Sequence, residues 1–320
     1  MKKIQMLFMA LGALFMIVAC SDDNSNPIIS DGATSDVGIS LSSEMFGSST
    51  RATSDIQNIQ VDATTQLGAF INDAEVPNSS YGYYNLLYRS DGQGTLTSDK
   101  QAYFPLKNKY CKVNIYAYAP YNRGFTRLRP YTFYVKTNQT TKANYIASDF
   151  IVGMPKTGNP VYNETTHDLE KKFQNVILTF NHLMTKVSVT LKGIHGMTQD
   201  EVVGAQIVMS NVATRTTIDV VNLTTSSPAS ISNITLGKIN DESDVTLSAA
   251  IPPQTVTAGK LLFTVTLKNK EVYTFTPEAD VIFVQGKHYH YVMTVGSYDT
   301  KVSTTVTDWI EAENNVVDAE

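Results

Sequence analysis

Cysteine is nearly missing: the 320-residue chain has two, and one of them, Cys20, closes an N-terminal apolar run. Cys111 is then alone in the body of the protein, which excludes an internal disulfide there. It sits in Tyr110-Cys111-Lys112-Val113, a strand-like run with no His or acid beside it, and reads as a small buried hydrophobe rather than a nucleophile. No segment carries a long apolar stripe of 3.6-residue period, which argues against a helical fold. A Gly-rich phosphate loop, Gly-x-Ser-x-Gly and His-Glu-x-x-His are all lacking, so no nucleotide, serine-hydrolase or metalloprotease signature is present. The formal charge is −5, and the sequence reads as having no basic patch and no Lys/Arg run, so nucleic acid is not an expected partner.

What is present begins at the N-terminus. Lys2 and Lys3 precede an apolar run from Ile4 to Val18, broken by Gln5. The run is too short for a comfortable membrane span and has the anatomy of a signal peptide. It ends in Ile17-Val18-Ala19-Cys20, the pattern of a lipoprotein cleavage site, with Cys20 as the residue that receives the lipid. Acyl chains there would replace the removed helix as anchor, each buried CH2 contributing about 0.8 kcal/mol. Ser21 to Ser35, polar and poor in apolar residues, reads as a flexible tether.

The remainder reads as short strands. Val37, Ile39 and Leu41 alternate with small residues, the period of a strand with one apolar face. Phe46 to Ser54 is a loop of small polar residues containing Arg51, suited to protease access. Further strands are expected at 66–72, 83–88, 101–105, 111–118, 132–135 and 149–154. After a charged connection at 165–172 they continue at 175–180, 186–191, 202–210, 216–222, 231–236, 245–251, 261–268, 271–276, 289–295 and 302–310. Tyr and Thr are abundant and only 17% of residues are charged, which suits sheet. Many short strands with regular turns predict an all-β chain of two tandem β-sandwich domains. The expected boundaries are 1–19 signal peptide, 20–51 lipidated propeptide with a first strand, 52–172 N-terminal domain and 173–320 C-terminal domain.

Candidate chemistry is sparse. His288 and His290 share one face of a strand, but a metal needs a third ligand and none lies near. His182 reads as a hydrogen-bonded residue at a strand end, and His195 as a turn residue. Asp241, Glu242 and Asp244 form an acidic loop without calcium-motif spacing. Tyr81, Tyr83, Tyr84, Tyr116, Tyr118 and Tyr121 suit a sugar-stacking platform or, more simply, sheet packing. No catalytic, metal or cofactor-binding residue is assigned, and no cofactor or enzymatic activity is expected.

Several segments together resemble the fimbrillin family of Bacteroidetes, the Mfa-like and FimA-like subunits of type V pili. They are Thr50-Arg51-Ala52-Thr53, Leu67-Gly68-Ala69-Phe70, Ala102-Tyr103-Phe104-Pro105, Val113 to Tyr121, Ser148 to Gly153, Leu178 to Val187, Gln285 to Tyr291 and Val306-Thr307-Asp308-Trp309. Their order and spacing carry the resemblance. It implies transthyretin-like, Greek-key sandwiches and a cell-surface pilus subunit serving adhesion. It also implies an outer-membrane lipoprotein precursor, in which Asp22 and Asp23 resemble a surface-export signal. Cleavage would fall between Arg51 and Ala52. The strand bearing Val37, Ile39 and Leu41 would be displaced, and a strand from a neighbouring subunit would fill the groove. The candidate donor carries Val302, Thr304, Val306, Trp309 and Ile310. Expected partners are other pilus subunits, the membrane lipid before cleavage, and a host or bacterial surface receptor. The short acidic tail after Trp309 argues against a long donor strand and leaves room for a tip or anchor role as well as a stalk one. The alternative is a surface glycan-binding lipoprotein.

Overall fold

The computed structural model describes residues 34–45, 60–63, 65–75, 81–105, 110–158, 161–163, 173–193, 197–239, 245–296 and 301–309. Cys20, Arg51, Ala52, His195, Ile310 and the acidic loop 241–244 lie outside these residues, as does the side chain of Cys111. The first seven strands are β1 (Thr34–Met45), β2 (Gln66–Asp73), β3 (Gly82–Ser90), β4 (Thr95–Thr97), β5 (Ala102–Pro105), β6 (Tyr110–Ala119) and β7 (Tyr131–Tyr134). A one-turn helix α1 (Lys142–Ile146) leads to β8 (Ile151–Pro155), β9 (Val161–Asn163), β10 (Phe173–His182) and β11 (Thr185–Gly193). After α2 (Gln199–Val202) come β12 (Gln206–Asp219), β13 (Thr224–Thr235), β14 (Thr246–Ile251), β15 (Gln254–Val256) and β16 (Phe263–Thr266). The last are β17 (Val272–Phe275), β18 (Val281–Phe283), β19 (Lys287–Val295) and β20 (Lys301–Asp308). The chain is all-β, as its period-two patterning predicts.

The first sheet has nine strands, with the path β10-β8-β6-β2-β3-β4-β1-β5 and β9 attached to β6. β10 also pairs back onto β1, which closes the path into a ring. A four-stranded sheet β14-β11-β19-β20, a five-stranded sheet β13-β12-β16-β17 with β7 on β12, and the pair β15-β18 form the rest.

Alternation explains the two cores. On β6, Val113, Ile115 and Ala117 point into the ring, where they meet Leu67, Ile71, Phe104, Leu178 and Phe180. Phe70, Tyr118 and Val152, from the same sheet, instead join Val187, Ile207, Phe263 and Met293 in the second core. The first sheet is thus packed on both faces.

The expected boundary at residue 172 is crossed in both directions. β10 hydrogen-bonds into the first sheet, while β7 pairs with β12 through Tyr134↔Arg215 and Thr132↔Thr217. Gln139 fastens this crossing: its fully buried amide donates to Ala250 O (2.8 Å) and accepts from Ala250 N (2.8 Å). Patterning assigns a strand its faces but not the sheet it enters. The expected strands 202–210 and 216–222 are likewise one strand, β12. Asn211, at φ 59°, makes an irregularity between Met209 and Val212 without ending the ladder.

Candidate functional site

β1 sits as a wedge between two edges of its own sheet. On one side it runs parallel to β10, from Gly38↔Phe173 to Met45↔Phe180. On the other it is antiparallel to β5 at Gly38↔Tyr103 and Ile39↔Ala102, and to β4 at Leu41↔Leu96. Val37, Ile39, Leu41 and Met45 are 1–5% exposed and fill the ring core. The three apolar residues expected on one face do share it. Met45 extends the same alternation and was visible in the sequence as its next apolar member. Ser43, between Leu41 and Met45, also points inward, and its buried hydroxyl has no hydrogen-bond partner.

The solvent side of β1 is fastened by polar contacts. Glu44 accepts from Lys156 Nζ (3.1 Å) and from Thr179 Oγ1 (2.9 Å). Gln101 Nε2 donates to Ile39 O (3.0 Å), and Ser43 N donates to Gly94 O (2.7 Å). Gly153 on β8 lies under the Phe180 ring, so close that a Cβ would stand 2.6 Å from it. That fit keeps Phe180 beneath the end of β1. Burying four apolar side chains contributes roughly 6–12 kcal/mol at most. Without β1, β10 on one side and β4 and β5 on the other would become open edges with unpaired backbone groups, a costly state unless another strand pairs there.

Covalently, β1 joins the rest of the protein through residues 46–59, which include Arg51. The chain re-enters the fold at Val61, fully buried, whose carbonyl accepts from Ser90 Oγ (2.7 Å). A cut anywhere between them leaves β1 held by packing and hydrogen bonds alone.

At the other terminus, β20 is, among the described strands, an edge strand paired only with β19. Most of its residues are exposed, including Val306 at 51%, with Thr304 exposed and Val302 half-buried. Trp309 differs sharply. It is 2% exposed, its backbone N–H donates to Gly286 O (2.9 Å), and its indole stacks on His182. His182 Nδ1 lies 3.0 Å from both oxygens of Asp149, and both side chains are sealed from solvent. The Asp149–His182 pair thus seats the C-terminal tryptophan and offers no access to a substrate.

The other candidates resolve into packing. His288 and His290 engage Ser188 Oγ (2.7 Å) and Thr190 Oγ1 (2.8 Å) through their Nε2 atoms. Among the described residues no three His, Cys, Asp or Glu side chains converge as a metal site. The six tyrosines do not form a platform, because Tyr81, Tyr83 and Tyr118 are at most 3% exposed. Tyr81 Oη donates to Tyr103 O (2.6 Å) and Tyr118 Oη donates to Asn85 Oδ1 (2.7 Å).

The protein is thus a two-core β fold whose first sheet is closed by β1. The chain belongs to the fimbrillin-like family, whose profile matches residues 50–309. It is similar to Fim1C of Bacteroides uniformis, described as a candidate fimbrium subunit, at 25% identity over 97% of this chain and 96% of that one. Its fold matches that of a candidate cell adhesion protein of Bacteroides uniformis, with TM-score 0.61 and 21% identity over 85% of this chain and 99% of that one. A candidate cell adhesion protein of Bacteroides ovatus matches with TM-score 0.62 and 17% identity, covering 88% and 100%. The family is one of fimbrial structural subunits, which places the protein's role in a cell-surface fimbrium.

Proposed function

We propose that this subunit is exported as an outer-membrane lipoprotein anchored at Cys20 and primed by cleavage between Arg51 and Ala52. The observation that carries this reading is the position of β1: it closes the first sheet along both edges, yet one segment joins it to the body. A cut there leaves β1 on the lipid side of the break. β1 then departs with Val37, Ile39, Leu41 and Met45, and the edges of β10 and of β4 and β5 accept an extended strand from another subunit.

The donor on this chain is the segment from Val302 to Ile310. β20 buries little apolar surface, so its release is opposed mainly by its backbone ladder with β19. Trp309 is its clasp, so donation requires Trp309 to leave His182. The outcome is a linear assembly through strand complementation that presents the subunit to a surface receptor.

The test is the N-terminus of the mature protein taken from the cell surface, read by mass spectrometry beside a non-denaturing gel. A start at Ala52 with a ladder of oligomers supports the reading. A lipidated Cys20 with intact β1 and no ladder overturns it.

A further inference from the structure

We propose that the β6–β7 loop and the outward face of β7 and β12 form a docking surface for an anionic polysaccharide. This goes beyond the assembly reading and does not depend on β1 leaving.

Between Asp99 and Asp149 the sequence contains no carboxylate, in a chain of net charge −5. Three of its six arginines, Arg123, Arg127 and Arg129, fall within this stretch on the β6–β7 loop. All three are exposed, and none makes an ion pair with a described residue. Arg123, Arg127 and Arg129 fall within seven residues of one another, a basic patch interrupted by Gly124, Phe125, Thr126 and Leu128 and so not a contiguous run.

The loop that carries them is a built element. Phe125 is 3% exposed and plugs the core, edge-on to Tyr118 (4.9 Å) and stacked on Tyr131 (4.8 Å). Asn122 Nδ2 donates to Tyr131 Oη (2.7 Å), its Oδ1 accepts from Gly124 N (2.7 Å), and its carbonyl accepts from Asn85 Nδ2 (2.9 Å). The turn bearing Arg123 is therefore folded back toward the start of β7. A fixed loop loses less conformational freedom when it binds than a mobile one.

β7 continues the surface. Phe133 and Val135 point inward, so Thr132, Tyr134 and Lys136 face solvent. Tyr134 is 57% exposed and lies opposite Arg215 on β12, with Thr132 opposite Thr217. The neighbouring carboxylate on β12, Asp219, is engaged by the backbone N–H groups of Val221 and Asn222 and by the Asn222 amide.

The combination selects the ligand. Guanidinium forks pair bidentately with carboxylate or sulfate groups. An exposed tyrosine ring with a hydroxyl handle suits the apolar face of a sugar. Threonine hydroxyls donate to or accept from sugar hydroxyls. Three separated cations on one loop that leads into the strand of Tyr134 match a polymer whose anionic groups are spaced by sugar units.

The test measures binding of the full chain to immobilised chondroitin sulfate, hyaluronan and neutral dextran at about 0.15 M salt, where long-range attraction is screened. Binding to an anionic polymer and not to dextran is expected, and the first two polymers separate sulfate from carboxylate recognition. Replacing Arg123, Arg127 and Arg129 together by Gln lowers affinity about tenfold or more. Tyr134→Ala lowers it about threefold or more while the salt dependence stays the same. The substitutions are at exposed positions, and unchanged thermal unfolding verifies that each variant is folded. Equal binding by the triple variant, equal retention on dextran, or no binding to either anionic polymer overturns the proposal. Duplex DNA held as tightly as the glycans also overturns it, as simple ion exchange. So does arginine-dependent self-association that a peptide of the acidic tail (residues 310–320) dissolves.

Discussion

The indole of Trp309 lies flat on the imidazole of His182, with ring centroids 4.0 Å apart and planes 4° from parallel. This contact ties the chain's C-terminal end to the last residue of β10. The residues just before it on β10, Phe173 to Phe180, pair with β1. One strand therefore carries the N-terminal closing strand along its length and the C-terminal clasp at its end.

Removing the clasp has a defined consequence. Trp309→Ala is expected to cost about 3–5 kcal/mol, the range for truncating a buried aromatic side chain. Because β20 has little packing of its own, the backbone amides of Val302 to Asp308 should lose protection first. Hydrogen exchange followed by mass spectrometry reads this; unchanged protection across β20 would mean that Trp309 is not its anchor.

The inward row of β1 gives a paired prediction. Leu41→Ala should destabilise the uncleaved protein by about 2–5 kcal/mol, because it leaves a cavity in the ring core. Ser43→Ala, two residues on, should be neutral or stabilise by up to about 1 kcal/mol, since it removes a buried hydroxyl with no partner. Urea unfolding of the two variants beside the parent protein checks the contrast. A large loss from Ser43→Ala would contradict this placement of the hydroxyl.

Processing can be tested without knowing the natural protease. Limited trypsin should give a new N-terminus at Ala52 while β1 stays bound, because Glu44, Gln101 and the packed face still hold it. Excess synthetic peptide covering residues 34–45 should then slow or block oligomer formation by the nicked protein. Arg51→Ala should remove the Ala52 product and leave monomers on a non-denaturing gel. A ladder formed by Arg51→Ala with β1 still attached would break the link between cutting and assembly.

Alkaline pH should unfold this protein through its buried phenols. Burial pushes the Tyr88, Tyr118 and Tyr291 hydroxyls well above the ordinary tyrosine value. The folded state therefore favours the neutral phenol, while the unfolded chain ionises near pH 10, by the usual value of about 10. The associated stability is intact below that pH and is lost as pH rises above it toward the folded values. Absorbance of tyrosinate against pH should show a late, cooperative rise that coincides with loss of near-ultraviolet dichroism. Tyr88 Oη is buried without a hydrogen-bond partner, so Tyr88→Phe should keep stability at neutral pH and reduce the alkaline loss. Early, independent ionisation of all tyrosines would refute the burial.

Much of this architecture was legible before folding. Val37, Ile39 and Leu41 announce a one-faced strand by spacing alone, and β2, β6, β11 and β19 fall close to their expected bounds. The family was legible too, because short motifs recur in a fixed order along the chain. The hidden parts are those where one pattern permits several partners. Phe133 and Val135 read as strand residues, but nothing local says that they cover the second core. Arg123, Arg127 and Arg129 are close in the sequence, but only the structure shows that Phe125 and Asn122 fold their loop against Tyr131.

The sequence by itself determined which segments are strands and which face of each is apolar, because side chains alternate at every residue of an extended chain. It also placed Arg51 between the first strand and the body, since that is a matter of order along the chain. Only the tertiary structure decided that β1 lies parallel to β10, far away in sequence, and that Trp309 seats on His182. Backbone hydrogen bonds are the same for every residue, so strand pairing carries little local code. The choice of partner is made by the joint packing of two cores, and it exists only once both are assembled.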